Sequence, residues 1–498
     1  MTDTKEKETV ELLQVNEDLN SLEENQSPLD HRDEVRVVNH QLERRICRKF
    51  DFTILPLAAL MYLFNSLDKS NISNAKTDGI ETDLGIHGSQ WNNMLSIFVV
   101  PYVLFGPPVS YLIKRFNPAN VIPLTMFVFG SITLLLTSAF NYGSLLAGRC
   151  FIGVCESAFF PGILYYLTMF YRRDELARRL SIFYGAFNIA SAFSGLLSFG
   201  VFQIKDTKVK GWQYLFIIEG GLTVLFSVIG FIFLPRSVET AKFLTEEERE
   251  CAIWRIKTDS SSTEKLTFKE AMSIFKHPVY LLWLLQEFCI GVPLNSYNNW
   301  FPQIVAGFGK STVMTNLYTV APSVWGATAL IIMCFCSDYL KIRCAFALTA
   351  VTSTLIGFVV LGCIDTQTNL GPAYFACFLM TTGVAASSVL TSTWYANNTP
   401  NESRRIAIAS IGIPIGNAGG VVATNIFRPN DAPKYTLALG ISAGFGGLAA
   451  LIICTITLFM VFDNRKRNRL QGVKMTYRDV PTYMLAEGPN NPSFRWMY

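Results

Sequence analysis

Two charged residues interrupt an apolar stretch of the chain. Residues 144–166 read SLLAGRCFIGVCESAFFPGILYY and are apolar enough to cross a bilayer, yet they include Arg149 and Glu156. A charged side chain at that depth costs about 2.5–3.5 kcal/mol on insertion scales, so it faces a protein interior or a water-filled cavity rather than lipid. The two residues lie seven positions apart, almost two helical turns, so both side chains point to one helix face. The pattern predicts a membrane helix that lines a polar cavity.

Asp68 and Lys69 form a second charged pair, directly after the apolar residues 52–67. Counted by rise per residue, Asp68 lies about 24 Å along its helix from one face of the membrane, and Arg149 lies about 7 Å along its helix from the opposite face. In a hydrocarbon core about 30 Å thick, the two residues are at similar depth. If these helices are neighbours, Asp68, Lys69, Arg149 and Glu156 form one polar cluster.

Such a cluster can couple a proton to an anion. A carboxyl group that takes up a proton releases its cation, and the cation can then bind an anionic molecule. Two plainer interpretations remain open. Asp68 and Lys69 can be a solvated helix end among lipid headgroups. Arg149 and Glu156 can be an ion pair that only locks helices together.

Further polar residues stand in other apolar stretches. Glu219 lies beside two glycines, which favours a packing or gating role over a proton site. Glu287 lies near the middle of its stretch, and a functional role and a plain hydrogen bond to a neighbouring helix are equally open. Because Asn is costly to bury, Asn188, Asn298 and Asn417 are candidates for lining the cavity.

The composition limits the class of protein. Half of the 498 residues are hydrophobic and only 16% are charged, whereas about a quarter are charged in a soluble domain. A net charge of +4 is too small to indicate nucleic-acid binding. The eleven cysteines are scattered and follow no metal-ligand or disulfide spacing, so we expect no metal and no cofactor. The four histidines lie outside the apolar stretches, which leaves proton chemistry to carboxyl groups.

The apolar stretches predict an all-α polytopic membrane protein with twelve transmembrane helices in two six-helix halves. We expect them near residues 52–67, 91–113, 121–140, 144–166, 181–203, 213–234, 279–304, 314–336, 345–364, 372–394, 406–426 and 436–462. This divides the chain into an N-terminal tail (1–50), a first half (51–235), a central loop (236–277), a second half (278–462) and a C-terminal tail (463–498). In the central loop, Thr245 and Glu248 predict the capping box of a surface helix.

Basic residues in short loops predict the orientation. Lys and Arg concentrate after every second stretch, as at Lys114-Arg115 and Arg404-Arg405, on the same side as the basic residues before the first helix. This places both termini in the cytoplasm. The loop at residues 204–212 and, more weakly, the loop at 427–435 run against the trend because they also contain Lys or Arg.

Three motifs carry a resemblance to a known family. They are Leu67-Asp68-Lys69-Ser70-Asn71-Ile72, then Arg149-x3-Gly153-x2-Glu156-x3-Phe160-Pro161-Gly162, then Gly211-Trp212-x2-Leu215-Phe216-Ile217-Ile218-Glu219-Gly220. With them, residues 45–465 resemble the anion:cation symporter family of the major facilitator superfamily, in its fungal allantoate permease branch. The resemblance implies proton-carrying roles for Asp68 and Glu156, with Arg149 as their charge partner. Glu287 is not part of the family pattern.

Two places depart from the family pattern. Lys69 stands where the family usually has an Arg that helps to hold the substrate carboxylate, and Lys keeps the charge but lacks the bidentate fork. The cytoplasmic loop motif of the superfamily is reduced to Ser110-x3-Lys114-Arg115-Phe116-Asn117-Pro118. The resemblance implies a gating role for Lys114 and Arg115, and for Asp338 and Arg343 at the matching place in the second half.

The resemblance implies proton-coupled uptake of a small monocarboxylate by alternating access, with a vitamin-type acid such as nicotinate as the first expectation. The partners would be that substrate, protons and the lipid bilayer, and we expect a monomer in the plasma membrane, with an endomembrane such as the endoplasmic reticulum or vacuole as the alternative. A uniporter or exchanger of a small organic anion, and a transporter-like nutrient sensor, remain alternatives. An enzyme is not expected, because no nucleophile–base set or nucleotide loop is present.

Overall fold

The computed structural model describes residues 40–157, 159–171, 179, 189–204, 208–260, 273–477 and 488–498, and their regular structure is helical throughout. The α-helices are α1 (His40–Thr77), α2 (Ile80–Asp83), α3 (Gln90–Phe116), α4 (Pro118–Leu136), α5 (Tyr142–Glu156), α6 (Phe159–Thr168), α7 (Ile189–Val201), α8 (Gly211–Phe233), α9 (Glu246–Ser260), α10 (Pro278–Ala306), α11 (Thr312–Leu340), α12 (Arg343–Cys363), α13 (Leu370–Asn397), α14 (Glu402–Ile426) and α15 (Thr436–Gln471).

The predicted all-α membrane fold is confirmed. In the described part of the chain, eleven helical segments are long and apolar enough to span a bilayer, with α5 and α6 together forming one of them. The predicted fifth span, 181–203, lies partly outside the described residues, and its described part is the apolar helix α7. Residues 47–498 form one compact unit, while the described part of the unit before it is only the first turns of α1.

Helix α1 is longer than predicted, since it continues through Asp68 and Asn71 to Thr77. The sequence pattern placed the helix end where polar residues begin. Asp68, Asn71 and Asn74 are all buried, however, and Asn74 donates to the Ser194 hydroxyl at 2.8 Å. Because partners on other helices satisfy these side chains, they do not interrupt the helix. Asp68 is therefore not a solvated helix end.

One Lys forms an ion pair in each of the two loops that run against the basic-residue trend. Lys210, before α8, pairs with Asp83, and Asp83 also accepts from the Trp212 indole at 2.8 Å. Lys434, before α15, lies 3.3 Å from Asp365. In each of these loops one Lys is thus held by an acid at the same end of the bundle.

The first turn of α8 is fixed from the loop after α1. Asp78 accepts from the Trp212 amide at 2.8 Å, and a Cβ on Gly211 would lie only 2.5 Å from the same carboxyl oxygen. Burial raises the pKa of Asp78, while the hydrogen bond from the Trp212 amide opposes that shift. The Gly-Trp motif therefore lets an acid approach the start of α8.

The predicted capping box at the start of α9 is confirmed. The Thr245 amide donates to Glu248 at 2.9 Å, and the Glu248 amide approaches the Thr245 hydroxyl at 3.4 Å. Lys49 on α1 lies 2.5 Å from the same Glu248 carboxylate and donates to the Phe243 carbonyl at 3.1 Å. The central-loop helix is thereby tied to the first transmembrane helix.

The two halves meet at the end of the bundle where α1 ends. Ser73 donates to the Asn299 carbonyl at 2.7 Å, and Gln303 donates to the Ser73 carbonyl at 2.6 Å. On the neighbouring pair of helices, α3 and α14, the hydroxyls of Ser96 and Thr424 are 2.8 Å apart. We call this set of contacts the interhalf clamp.

Residues 488–498, in the predicted C-terminal tail, pack against the helical bundle. Phe494, Arg495 and Trp496 are fully buried. The Asn464 side chain exchanges two 2.9 Å hydrogen bonds with the Trp496 backbone, and the Asn398 side chain exchanges two 2.8 Å hydrogen bonds with the Met497 backbone. The segment is therefore docked on α13 and α15, and we call it the C-terminal strap.

Candidate functional site

A cavity of about 180 Å³ lies between the two halves. The first half lines it with Tyr62, Lys69, Phe98, Val99, Tyr102, Arg149 and Phe160, and the second half lines it with Glu287, Ile290, Gly291, Leu294, Asn295, Asn298, Asn299, Ala385, Ser388, Ser392, Ile413, Gly416 and Asn417. The charged and aromatic lining comes mainly from the first half. The amides and the serine hydroxyls come from the second half.

The predicted charge cluster is present, and it consists of two crossed pairs. Arg149 Nη1 lies 3.7 Å from Asp68 Oδ2, and Lys69 Nζ lies 3.7 Å from Glu156 Oε2. Asp68, Arg149 and Glu156 are buried, while Lys69 keeps part of its side chain open to the cavity. At 3.7 Å these pairs are ionic contacts rather than hydrogen bonds, so partners can be exchanged with little rearrangement.

The two carboxyl groups are held differently. Asp68 Oδ1 accepts from the Thr133 hydroxyl at 2.7 Å and from the Asn71 amide at 3.4 Å. Both oxygens of Glu156 are buried and lack a hydrogen-bond partner among the described residues. Asp68 is therefore fixed in place, whereas the negative charge of Glu156 is compensated mainly by Lys69.

Glycine lets α5 approach α3 at the cluster. A Cβ on Gly153 would lie 2.5 Å from the Phe98 carbonyl oxygen, so a larger residue would push the helices apart. Phe98 in turn places its ring 4.8 Å from the Arg149 guanidinium. The Gly153 of the motif is thus required so that Arg149 is covered by an aromatic face, which stabilises a buried cation.

Tyr102 holds Lys69 from the neighbouring helix α3. Its hydroxyl accepts from Lys69 at 3.4 Å, and the ammonium lies 4.6 Å from the ring centroid. Tyr102, Phe98 and Tyr62 were not predicted from the sequence, because an aromatic residue in an apolar stretch looks the same whether it faces lipid or a cavity.

Glu219 belongs to the same buried network, beyond the role of a helix-packing residue favoured by the sequence. Its carboxyl oxygen accepts from Ser194 at 3.4 Å, and the Asn71 amide lies beside both Glu219 and Asp68. The adjacent Gly220 packs closely on α4, as a Cβ there would lie 3.0 Å from the Leu134 amide nitrogen. Among the described residues, the network around Asp68 therefore contains three carboxyl groups and two cations.

The amides predicted to line the cavity are placed as follows. Asn298 and Asn417 line it, together with Glu287, while Asn188 lies outside the described residues. The Asn417 amide donates to the Ile413 carbonyl of its own helix at 3.0 Å, which leaves its oxygen available.

A match over most of the chain shows its family. Residues 58–424 match the family model described as Major Facilitator Superfamily. The chain belongs to the major facilitator superfamily. It is 58% identical over 465 residues to an uncharacterized transporter of Schizosaccharomyces pombe, covering 93% of this chain and 92% of that one. It is 28% identical over 465 residues to the high-affinity nicotinic acid transporter of Saccharomyces cerevisiae, covering 92% and 86%.

Solved structures agree on the fold of this major facilitator protein. The partially occluded inward-open form of the xylose transporter XylE from E. coli matches with a TM-score of 0.65 at 16% identity, covering 82% of this chain and 98% of that one. The protein is therefore a multi-pass membrane transporter of the superfamily, and its charge cluster lies inside a transporter fold.

The residues expected to gate this transporter are at the end of the bundle opposite the interhalf clamp. Arg343 pairs with Asp338 and donates to Ser337 at 3.4 Å, which does not test the gating role expected of these two residues. Lys114 and Arg115 are exposed, and in the described part of the chain neither makes an ion pair. Their gating role stays a prediction.

Proposed function

We propose that this protein is a proton-coupled symporter of a small organic carboxylate, with a vitamin-type acid such as nicotinate as its substrate. We place it in the fungal allantoate permease branch of the anion:cation symporter family, in the plasma membrane, with both termini in the cytoplasm and a single chain as the working unit. Lys69 and Arg149 bind the substrate carboxylate, and Asp68 and Glu156 carry the coupling charge.

One observation carries the proposal. Two cations that face a central cavity are each held by a buried carboxyl group at 3.7 Å. While both carboxyl groups are ionised, each cation is already neutralised and attracts an anion only weakly. When a carboxyl group takes up a proton, its cation becomes available to the substrate, so proton and anion bind together.

The relatives support the substrate class. A relative that covers 92% of this chain is named a high-affinity nicotinic acid transporter, although at 28% identity. A cavity of about 180 Å³ suits a single-ring or short-chain acid, because cavities for drug-sized ligands start at about 300 Å³. Asn298 and Asn417 on the second half offer hydrogen-bond partners for the remainder of such a molecule.

Proton influx into proteoliposomes tests the proposal. The purified protein would be reconstituted with an internal pH dye and given a panel of small carboxylates, with a hexose and an organic cation as controls. We expect the lumen to acidify with one or a few carboxylates and with neither control.

Two other results would contradict the proposal. If labelled nicotinate equilibrates across the membrane without any acidification, the protein is a uniporter or an exchanger. If it binds a carboxylate and moves neither the acid nor protons, it is a sensor.

A further inference from the structure

Glu287 is a buried acid that the charge cluster does not use. It lies on α10, in the second half, and it lines the same cavity as Lys69 and Arg149. Only 5% of its surface is exposed, and its Oε1 has no hydrogen-bond partner among the described residues. A carboxyl group in this position, deep in a membrane span, is costly unless a ligand or a proton compensates it.

Among the described residues, the elements packed around Glu287 supply no cation to it. Helix α14 faces it with Gly412 and Gly416, which have no side chain to donate, and a Cβ on Gly416 would lie 3.7 Å from Glu287 Oε2. Helix α13 contributes the Ser392 hydroxyl beside the carboxyl group. In the spans of the second half, α10 and α13 contain no Lys, Arg or His at all, and the basic residues of α12 and α14 lie in their first turns.

The cavity is therefore electrically asymmetric. Its first-half wall presents two cations that are paired with Asp68 and Glu156, and its second-half wall presents one acid that pairs with no cation among the described residues. A molecule with only a carboxylate would satisfy the first wall and leave Glu287 without a partner. A molecule that also carries a basic nitrogen would satisfy both walls.

We propose that Glu287 determines the substrate class, and that the substrate is a small carboxylate with a basic nitrogen. The nitrogen and Glu287 share one proton in a hydrogen bond. With a neutral ring nitrogen, the carboxyl group of Glu287 holds the proton and donates it. With an ammonium group, the nitrogen holds the proton and the carboxylate of Glu287 accepts it. This inference rests on the proposed function, because it assumes that the carboxylate end binds at Lys69 and Arg149.

Matched pairs of acids test this inference in the same proteoliposomes. Each pair differs only in the replacement of nitrogen by carbon: nicotinate against benzoate, and 4-aminobutyrate against pentanoate. We expect the wild-type protein to take up at least one nitrogen-bearing acid, and to need about 5- to 150-fold more of its carbon counterpart, since leaving a buried polar group without its partner costs binding free energy.

Two variants test whether Glu287 is the residue that recognises the nitrogen. Glu287→Leu removes the hydrogen bond and should bring the members of a pair to within about threefold, mainly by weakening uptake of the nitrogen-bearing acid. Glu287→Gln is the matched control, since its amide can still donate to a ring nitrogen and should preserve most of the preference for nicotinate over benzoate.

The outcomes separate this inference from the proposed function. If carboxylates are taken up with protons but wild-type protein treats each pair equally, this inference is wrong and the symport proposal stands. If Glu287→Leu is inserted and active but keeps the full preference, another residue recognises the nitrogen and the inference is again wrong. If no acid of the pairs is taken up but another carboxylate of the panel is, this inference is wrong and the symport proposal stands. If no carboxylate at all is taken up with protons, the proposed function fails and this inference fails with it.

Discussion

The Glu156 carboxyl group has Lys69 at 3.7 Å and no hydrogen-bond partner among the described residues, whereas Asp68 accepts two hydrogen bonds in addition to its contact with Arg149. A carboxyl group with so little support gains most from protonation or from a change of partner. We infer from this difference that, of the two coupling carboxyl groups, Glu156 is the one that takes up and releases the proton, while Asp68 holds Arg149.

We predict that Glu156→Gln abolishes uphill uptake while leaving counterflow exchange of labelled substrate. A neutral side chain of the same shape mimics the protonated state, so Lys69 stays available to the anion but no proton is carried. Uptake driven by a pH gradient and exchange at equal pH, measured in the same vesicles, separate the two activities.

The matched control is Glu247→Gln, the same chemical change at an exposed position on α9, which should leave both activities intact. Asp68→Asn should abolish both activities, because removing one partner leaves Arg149 buried and uncompensated at a cost of about 3–5 kcal/mol. If Glu156→Gln concentrates substrate as the wild-type protein does, Glu156 does not carry the proton.

Glu219 gives the cluster a third carboxyl group for two cations, and Asn71 connects it to Asp68. With all three ionised, the buried group would have a net negative charge, so one proton is needed for neutrality. We predict that Glu219→Gln, which preserves shape and still accepts from Ser194, strongly reduces pH-driven uptake while the protein inserts normally.

A role in packing alone gives the opposite expectation for Glu219. The isosteric Glu219→Gln variant would then transport like the wild-type protein. Ser194→Ala, which deletes the 3.4 Å hydrogen bond to Glu219, would also leave transport unchanged. Initial uptake rates at several external pH values, normalised to protein in the vesicle, decide between the two.

At the scale of the helices, the sequence predicts those elements that hydropathy alone identifies. Long apolar stretches identify spans whatever their neighbours are, because the bilayer imposes the length. The end of α1 could not be placed in the same way, since Asp68, Asn71 and Asn74 are buried against residues such as Thr133 and Ser194 that are far away in the chain. The charge cluster was predictable because charges inside a membrane span are rare. The aromatic residues that cover it, Phe98 and Tyr102, were not predictable.

The burial of the C-terminal strap also could not be predicted from the sequence. A Trp in a polar tail has no periodicity that indicates burial. Its burial depends on Asn464 and Asp463 of α15 and on Trp283 of α10, whose ring centroid lies 6.5 Å from that of Trp496. These partners are spread over more than two hundred residues, so no local sequence pattern predicts the contacts.

We predict that Trp496→Ala destabilises the second half by about 3–5 kcal/mol, the usual cost of deleting a buried Trp side chain. Thermal unfolding of the purified protein in detergent measures this as a lower midpoint. The control is Met475→Ala on the exposed chain just after α15, which should leave the midpoint unchanged. An unchanged midpoint for Trp496→Ala would mean that the strap is not docked in solution.

For the whole molecule, the interhalf clamp and the cavity define one conformational state. Ser73, Asn299 and Gln303 join the halves where α1 ends, which is the outer end if the N-terminus is cytoplasmic. Alternating access requires that these hydrogen bonds break so that the cavity opens to that side. Each is modest in net energy, about 0.5–1.5 kcal/mol, so a few of them can close the clamp and still release it.

A reversible cross-link across the clamp tests whether this opening is required. The hydroxyls of Ser96 on α3 and Thr424 on α14 are 2.8 Å apart, so the double variant Ser96→Cys/Thr424→Cys brings two thiols together. We predict that oxidation reduces uptake to background and that a reducing agent restores it, because the disulfide holds the outer end closed. Each single variant should transport under both conditions, which also controls for the eleven native cysteines. Full transport by the oxidised double variant, with the cross-link verified by mass spectrometry, would show that the halves do not separate here and that substrate enters by another route.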